Sequence, residues 1–407
     1  MSPKTESIYR TESSGQGAIQ NVLTPQLRKN RSFISVLGMS LAITAVPYGV
    51  GGPLISTIYG GGQLSLFVGV LVVVFLQGAV ALSLGELASR YPTSSGVYYW
   101  SYRLTENKTY QHAMAYFTGW VWLIGNWTIA LSVNFGFASI IVATVTMYRP
   151  DWTATANETL YIFFGICLLI FALCAVADKA LPLVDTAAAI WSVVTTVAIL
   201  IALACTAKKG RHSVSYGLGN FDPNISGWGN FSFFIGLLPP AYALSAIGLI
   251  MSMTEECANP EIEVPRAITM CIPIGGVSML AFVLPICFTL PPLEDVLAAP
   301  YGQALPFIID TVTRSKPLSL ALLVMVLLVT LFCSMSITTT ASRCTWALSR
   351  DGMLPGSNIW SRTLFNQPIY ALTLVTVIEI ALGCINLGST SAFTAFVSVG
   401  VVALALA

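Results

Sequence analysis

Between Arg31 and Glu86 the chain carries no charged residue. That gap constrains the fold more than any other feature, because a soluble domain of this length would need charged surface along it. Similar gaps run from His112 to Arg149, Glu158 to Asp178, Asp185 to Lys208, Asp222 to Glu255, Arg266 to Glu294 and Lys316 to Arg343. A membrane-crossing helix needs about 20 apolar residues. The first gap therefore accommodates two, divided near Gly60-Gly61-Gly62, and each of the others accommodates one. Two more apolar runs follow Gln367, divided near Gly388-Ser389-Thr390. The reading is an all-α polytopic membrane protein with about ten spans. They centre near residues 46, 75, 130, 168, 196, 243, 279, 329, 377 and 399.

Composition narrows the function classes. Only 9% of the 407 residues are charged and 55% are apolar, with a mean hydropathy of +0.77. With a net charge of +1, these values exclude a soluble globular enzyme, a disordered chain and an electrostatic nucleic-acid binder. Most of the nine cysteines fall inside apolar runs, and none forms a C-x-x-C pair. His112 and His212 are the only histidines. Neither a disulfide framework nor a metal site is signalled, and no cofactor or metal is expected. Residues 1 to 31 are polar and read as a cytoplasmic tail; residues 32 to 407 read as the transmembrane domain.

Basic residues set the orientation. With the N-terminus inside, thirteen Lys and Arg face the cytoplasm. Six (Arg149, Lys208, Lys209, Arg211, Arg314 and Lys316) face outward. Three N-x-[ST] triplets, at Asn157, Asn224 and Asn230, then fall in outer loops. The last apolar run, Ala392 to Ala407, stays apolar to its end and reads as a span cut short.

Span 1 contains Pro47-Tyr48-Gly49-Val50-Gly51-Gly52-Pro53 at its middle. Two prolines and three glycines oppose a continuous helix. Broken backbone at membrane depth is tolerated only where it is buried in protein or lines a cavity. It is therefore either a packing kink or a binding element. Span 6 carries Pro239-Pro240-Ala241-Tyr242-Ala243-Leu244-Ser245-Ala246-Ile247-Gly248 and opens the second half as span 1 opens the first. A matched pair of interrupted helices points to an inverted-repeat transporter. Its repeats would run over about 32–207 and about 228–407.

Three inner loops carry dense motifs: GELASRYPTSSGVYYW from Gly85, MSMTEECANPEIEVPRAI from Met251 and SRCTWALSRDGMLP from Ser342. In this order they resemble the amino acid–polyamine–organocation permeases, and more closely the fungal amino-acid, GABA and choline branch. The resemblance runs from about residue 30 to the end. It implies a five-plus-five inverted-repeat fold with broken helices 1 and 6, and a family of twelve spans, two more than this chain contains. Ser95 stands where the branch has the first of two glycines. Ser245-Ala246-Ile247-Gly248 stands where a Thr-Gly-Tyr-Asp type is usual, so a carboxylate is missing there.

The resemblance also implies roles. Tyr48, Gly49, Val50 and Gly51 would offer backbone groups to a substrate carboxylate. Ser245, Ala246, Ile247 and Gly248 would receive the amine or side chain. Tyr242 matches the aromatic gate of related permeases, or is a packing residue. The expected activity is secondary active transport of a small amino compound (an amino acid or GABA, with choline as alternative). It would be coupled to protons or alternatively sodium, with the plasma membrane preferred over the vacuole.

Several polar residues stand out on their own. Asn126, and more weakly Asn134, are polar at mid-depth in span 3 and need partners. Each contacts substrate or simply bonds a neighbouring helix. Glu379 is the one charge read as lying inside a span, a functional position by default. Glu255 and Glu256 end span 6 and either pair with loop arginines such as Arg90 or Arg343 or take part in proton coupling. Asp351 with Arg350 would fix the inner loop. Ser334 and Ser336 offer oxygens near a cation site or act as helix-packing hydroxyls. Three rival readings remain: a non-transporting sensor, an inactive shortened product, and a channel, for which no filter loop or charged ring is visible.

Overall fold

The computed structural model describes residues 31–407 apart from 150, 178–179, 208–210, 300–301, 365–366 and 389, and apart from the side chains of Ala246 and of 388–397. The expected tail, up to residue 30, lies outside the described residues. Among the described residues the chain is helical, with two isolated β-bridges and no strand.

Span 1 is built from three pieces: α1 (Phe33–Thr44), α2 (Val46–Gly49) and α3 (Leu54–Tyr59). Then come α4 (Gln63–Arg90), α5 (Gly96–Leu104, an inner-loop helix), α6 (Gln111–Tyr148), α7 (Ala156–Val176) and α8 (Leu181–Thr206). Span 6 contains α9 (Leu238–Ser245) and continues as a 3₁₀ segment, Ala246–Glu256. The second half ends with α10 (Pro260–Thr289), α11 (Ala304–Thr313), α12 (Lys316–Arg350), α13 (Ile369–Gly383) and α14 (Thr390–Leu406). Eight helical stretches among the described residues are long and apolar enough to cross a membrane. Broken span 1 and α14 bring the total to the ten read from sequence. The ten-residue α11, between spans 7 and 8, was not foreseen.

Local chemistry explains where these helices start. At α7 the Thr155 hydroxyl accepts from the Glu158 amide at 3.3 Å, and the Glu158 carboxylate accepts from the Thr155 amide at 2.7 Å. This reciprocal cap satisfies two of the donors that a helix start leaves free. Lys316 and Pro317 open α12, where a proline costs no hydrogen bond.

The packing follows the repeat. Spans 2 and 7 lie side by side, as do spans 3 and 8. Span 1 packs on span 5 and span 6 on span 10; span 3 packs on span 10 and span 8 on span 5. Span 3 meets span 4 as span 8 meets span 9, and span 4 meets span 8 as span 9 meets span 3. Exchanging each span with the one five places on leaves these neighbours unchanged. That is the signature of two equivalent five-helix units.

The break in span 1 begins two residues before Pro47. Ala45 adopts φ 38° and ψ 54°, a left-handed conformation that a side chain resists. The amides of Tyr48 and Gly49 both turn back to the Ala45 carbonyl, at 2.8 and 2.7 Å. The span 6 interruption is of another kind. Eleven residues of 3₁₀ helix are far longer than the usual three or four and mark a strained segment. Its hydroxyls bond one tight turn back, Ser252 to the Leu249 carbonyl at 2.8 Å and Thr254 to Met251 at 2.6 Å.

Candidate substrate site and inner charge network

Span 1 at its break and span 6 just before its 3₁₀ segment meet at a cavity near the centre of the bundle. Ile43, Tyr48 and Gly49 line it from span 1, and Ile129 and Val133 from α6. Tyr242 and Ala243 come from α9, and Cys333 and Ile337 from α12. The volume of the cavity is about 10 Å³. That is room for roughly one water, so the site is nearly closed.

Its polar groups are few and specific. The Tyr48 hydroxyl donates to the Val133 carbonyl at 3.3 Å. The Tyr242 hydroxyl and the Ser132 hydroxyl share a hydrogen bond of 2.9 Å. Tyr48 sits in the short helix α2 at the break of span 1, and Tyr242 in α9, one turn before the 3₁₀ segment of span 6. Among the described residues no charged side chain lines the cavity. Close approach is enforced by glycines. A Cβ at Gly49 would lie 2.5 Å from the Thr44 carbonyl oxygen and 2.9 Å from the Ala243 Cβ. A Cβ at Gly136, one turn from Ser132, would run into the Tyr48 hydroxyl.

Of the ten residues proposed from sequence to hold substrate, Tyr48, Gly49 and Tyr242 line this cavity. Val50 is fully buried, and Gly51 packs against Leu305 of α11. The Ser245 hydroxyl donates to the Tyr242 carbonyl at 2.8 Å. Ile247 is buried in the core, and Gly248 sits against the Trp122 ring. The Ala246 side chain lies outside the described residues. Asn126 is buried beside the site without lining it; its Nδ2 donates to the Trp122 carbonyl at 2.8 Å. Ile129, Val133, Ala243, Cys333 and Ile337 were not picked out, because apolar residues in an apolar span carry no signal of their own.

A buried ion-pair network lies at the end of the bundle that the basic residues mark as cytoplasmic. The Arg31 guanidinium pairs with Asp185 of α8 at 2.7 Å and with Glu256 at 2.9 Å. Glu256 also takes Arg343 of α12 at 2.9 Å, and Asp185 accepts from Ser336 at 2.8 Å. The backbone joins in: the Arg31 amide donates to the Glu256 carbonyl at 3.0 Å. Burial works against the Arg31 charge, but Asp185 and Glu256 outweigh it and hold its pKa above the ordinary value. Four elements are thus locked together: the start of span 1, span 5, the end of span 6 and span 8.

A second cluster lies in the inner loops. Glu255 pairs with Arg350 at 2.6 Å and accepts from Ser94 at 2.5 Å. Asp351 accepts from Tyr98 at 2.7 Å and from Ser95 at 3.1 Å. Burial, then the Asp351 carboxylate, pushes the Tyr98 phenol well above its ordinary range.

Two expectations are corrected here. Arg90 is not the partner of Glu255 or Glu256; its guanidinium lies over the Tyr91 ring, while Arg343, Arg31 and Arg350 take the two acids. Glu379 is not the one charge within a span. Asp185 and Arg343 lie within long apolar helices and are buried too. Ser334 and Ser336 bond neighbouring helices, as the helix-packing alternative has it: Ser334 donates to the Asn134 side-chain oxygen of α6, and Ser336 to Asp185 of α8.

Relatives match nearly the whole chain. A choline transporter of Saccharomyces cerevisiae is 26% identical over 94% of this chain and 68% of its own length. The polyamine transporter TPO5 of the same yeast is 27% identical over 91% of this chain and 61% of its own length. A rice (Oryza sativa) amino-acid permease BAT1 homolog is 29% identical over 94% and 76%. The chain thus spans between about three fifths and three quarters of the length of these relatives. The amino acid permease family model matches residues 32–407, and with ten apolar spans in a paired five-helix arrangement the chain belongs to that family of multi-pass membrane permeases.

Proposed function

We propose that this chain is a secondary active transporter of a small zwitterionic amino compound, an amino acid or GABA, coupled to protons and working at the plasma membrane. The observation that carries the reading is the meeting of two interrupted helices at one small cavity walled by Tyr48 and Tyr242. An interrupted helix supplies backbone dipoles that a substrate carboxylate and ammonium each find without a charged side chain.

The lining selects among substrates. Among the described residues no acidic side chain lines the cavity, so a polyamine carrying several positive charges would meet no counter-charge from them. Burying such a charge unpaired is costly. A zwitterion carries its own compensation. Choline is the second reading, favoured by one observation: two tyrosine rings in a cavity without acids, a surface that attracts a quaternary ammonium.

The transport cycle follows from the two closures. On the outer side, Leu305 of α11 packs on Gly51 at the break. On the inner side, Arg31, Asp185, Glu256 and Arg343 tie four spans together. Substrate has to widen the cavity, and it shifts the balance between outward and inward states only by binding them unequally. Inner opening requires the network to separate and hydrate.

The test is competitive uptake of labelled substrate in cells lacking endogenous permeases, with GABA, a neutral amino acid, choline and a polyamine as competitors. Saturable uptake of a zwitterion, strengthened by an inward proton gradient, is the expected result. Choline uptake with no zwitterion competition would replace the first reading by the second. No uptake of any compound by protein shown to be in the membrane would sink both.

A further inference from the structure

Glu379 is placed where a membrane protein does not leave a charge. It is 1% exposed on α13, amid the apolar residues that α6, α7 and α12 contribute around it. Its Oε2 accepts a hydrogen bond from the Asn134 amide at 2.8 Å. Among the described residues no N–H or O–H group reaches its Oε1. The thiol of Cys167 on α7 lies beside the carboxyl. From α12 the approaching group is Ser334, whose hydroxyl donates to the Asn134 oxygen. Among the described residues no Lys, Arg or His forms an ion pair with it; the basic groups of the inner network bind Asp185, Glu255 and Glu256 instead. A buried carboxylate without a counter-charge is neutralised by taking up a proton.

Its location ties that proton to the substrate cavity. Asn134 follows Val133 on α6, and Ser334 follows Cys333 on α12; Val133 and Cys333 both line the cavity. Any widening of the cavity that moves α6 against α12 must therefore stretch the line from Ser334 through Asn134 to Glu379. We infer that Glu379 is the proton-binding site of this permease. It holds the proton while the cavity is closed and exchanges it with water when spans 3, 8 and 9 separate. This rests on the transporter reading above. The proton is taken from and returned to water, so the step needs no other reactant.

Two measurements test it. The first is independent of transport: infrared difference spectroscopy of the purified protein at neutral pH. A carbonyl band of a protonated carboxyl is expected in the wild type and in E379D, and is expected to be absent from E379Q. Identical carboxyl bands in wild type and E379Q would overturn the site. The second uses uptake and substrate-driven proton movement in vesicles. E379Q mimics the neutral acid, so it should keep substrate exchange within about threefold of wild type while losing at least about tenfold of gradient-driven accumulation and its pH dependence. E379D should retain pH dependence and so show that the position tolerates change. Wild-type proton movement in E379Q overturns the inference. If the wild type itself moves no substrate, the transporter reading falls and the infrared result still decides whether Glu379 carries a proton.

Discussion

Arg31 and Asp185 lie 154 positions apart, yet the Arg31 Nη1 donates to an Asp185 carboxylate oxygen at 2.7 Å with both side chains buried. The start of span 1 is thereby fixed to span 5, and through Glu256 to the end of span 6. Two acids share two arginines in a space closed to water. Such a network contributes little net stability against an apolar substitute, but removing one member leaves an uncompensated charge.

Asp185→Ala should therefore destabilise the protein by about 3–5 kcal/mol, seen as a lower melting temperature in detergent. It should also favour inner opening. Cys257 is fully buried next to Glu256, and its labelling by a cytoplasmic thiol reagent should rise in this variant. Unchanged melting and unchanged labelling would mean that the network neither holds the inner end nor closes it.

The inner loop makes a pH-specific prediction. The Tyr98 phenol is pushed well above its ordinary range by burial and by Asp351. A raised pKa keeps the neutral donor form in the folded protein. Its contribution is complete below the unfolded phenol pKa and fades only as pH rises through the higher folded value. Tyr98→Phe should thus lose a bond to a charged acceptor, about 1.5–3 kcal/mol, by the same amount at about pH 6 and about pH 8. A loss that changes across that interval would show that another group governs the contact.

At the cavity, Gly49 is the tightest point. A Cβ there would be 2.5 Å from the Thr44 carbonyl and 2.9 Å from Ala243, so backbone rather than a flexible side-chain end would have to yield. Gly49→Val should abolish uptake, with at least about a tenfold loss in kcat/KM, equivalent to about 1.4 kcal/mol. Surface expression, measured alongside, separates this loss from a failure to fold. Uptake at wild-type rates would remove the break from the site.

The spans were legible because charge is so scarce that its gaps outline the helices. The break in span 1 was legible because Pro and Gly are concentrated at Pro47 to Pro53; in span 6, Pro239-Pro240 lie inside α9 and the 3₁₀ segment starts only at Ala246. The inner network was not legible. Asp185 stands near the start of α8, and counting charges to find helix ends assigns any such acid to a boundary; its charge is met by Arg31, a residue read as the end of a tail. Ala45 gave no warning either. Its left-handed backbone is imposed by the packing around the break, whereas sequence signals for that conformation rest on glycine. Residues such as Val133 and Cys333 take their importance from what their backbone and neighbours face, which composition does not encode.

Gly136 belongs to that hidden class, and it permits a test of the cavity geometry that simple loss of activity does not. A methyl at this position would meet the Tyr48 hydroxyl first, and next the ring carbon that bears it, at 3.2 Å. Tyr48 is buried and its hydroxyl is engaged with Val133, so it has little freedom to withdraw. Gly136→Ala alone should impair uptake about tenfold or more by displacing Tyr48 into the cavity. Tyr48→Phe alone removes one neutral hydrogen bond, about 0.5–1.5 kcal/mol, and should weaken uptake roughly three- to tenfold. Combining them removes the colliding oxygen, so the double variant should transport better than Gly136→Ala alone. That recovery is a coupling between residues in contact, the departure from additivity that a double-mutant cycle measures. Additive losses would place Tyr48 away from Gly136, and with it the wall of the proposed site.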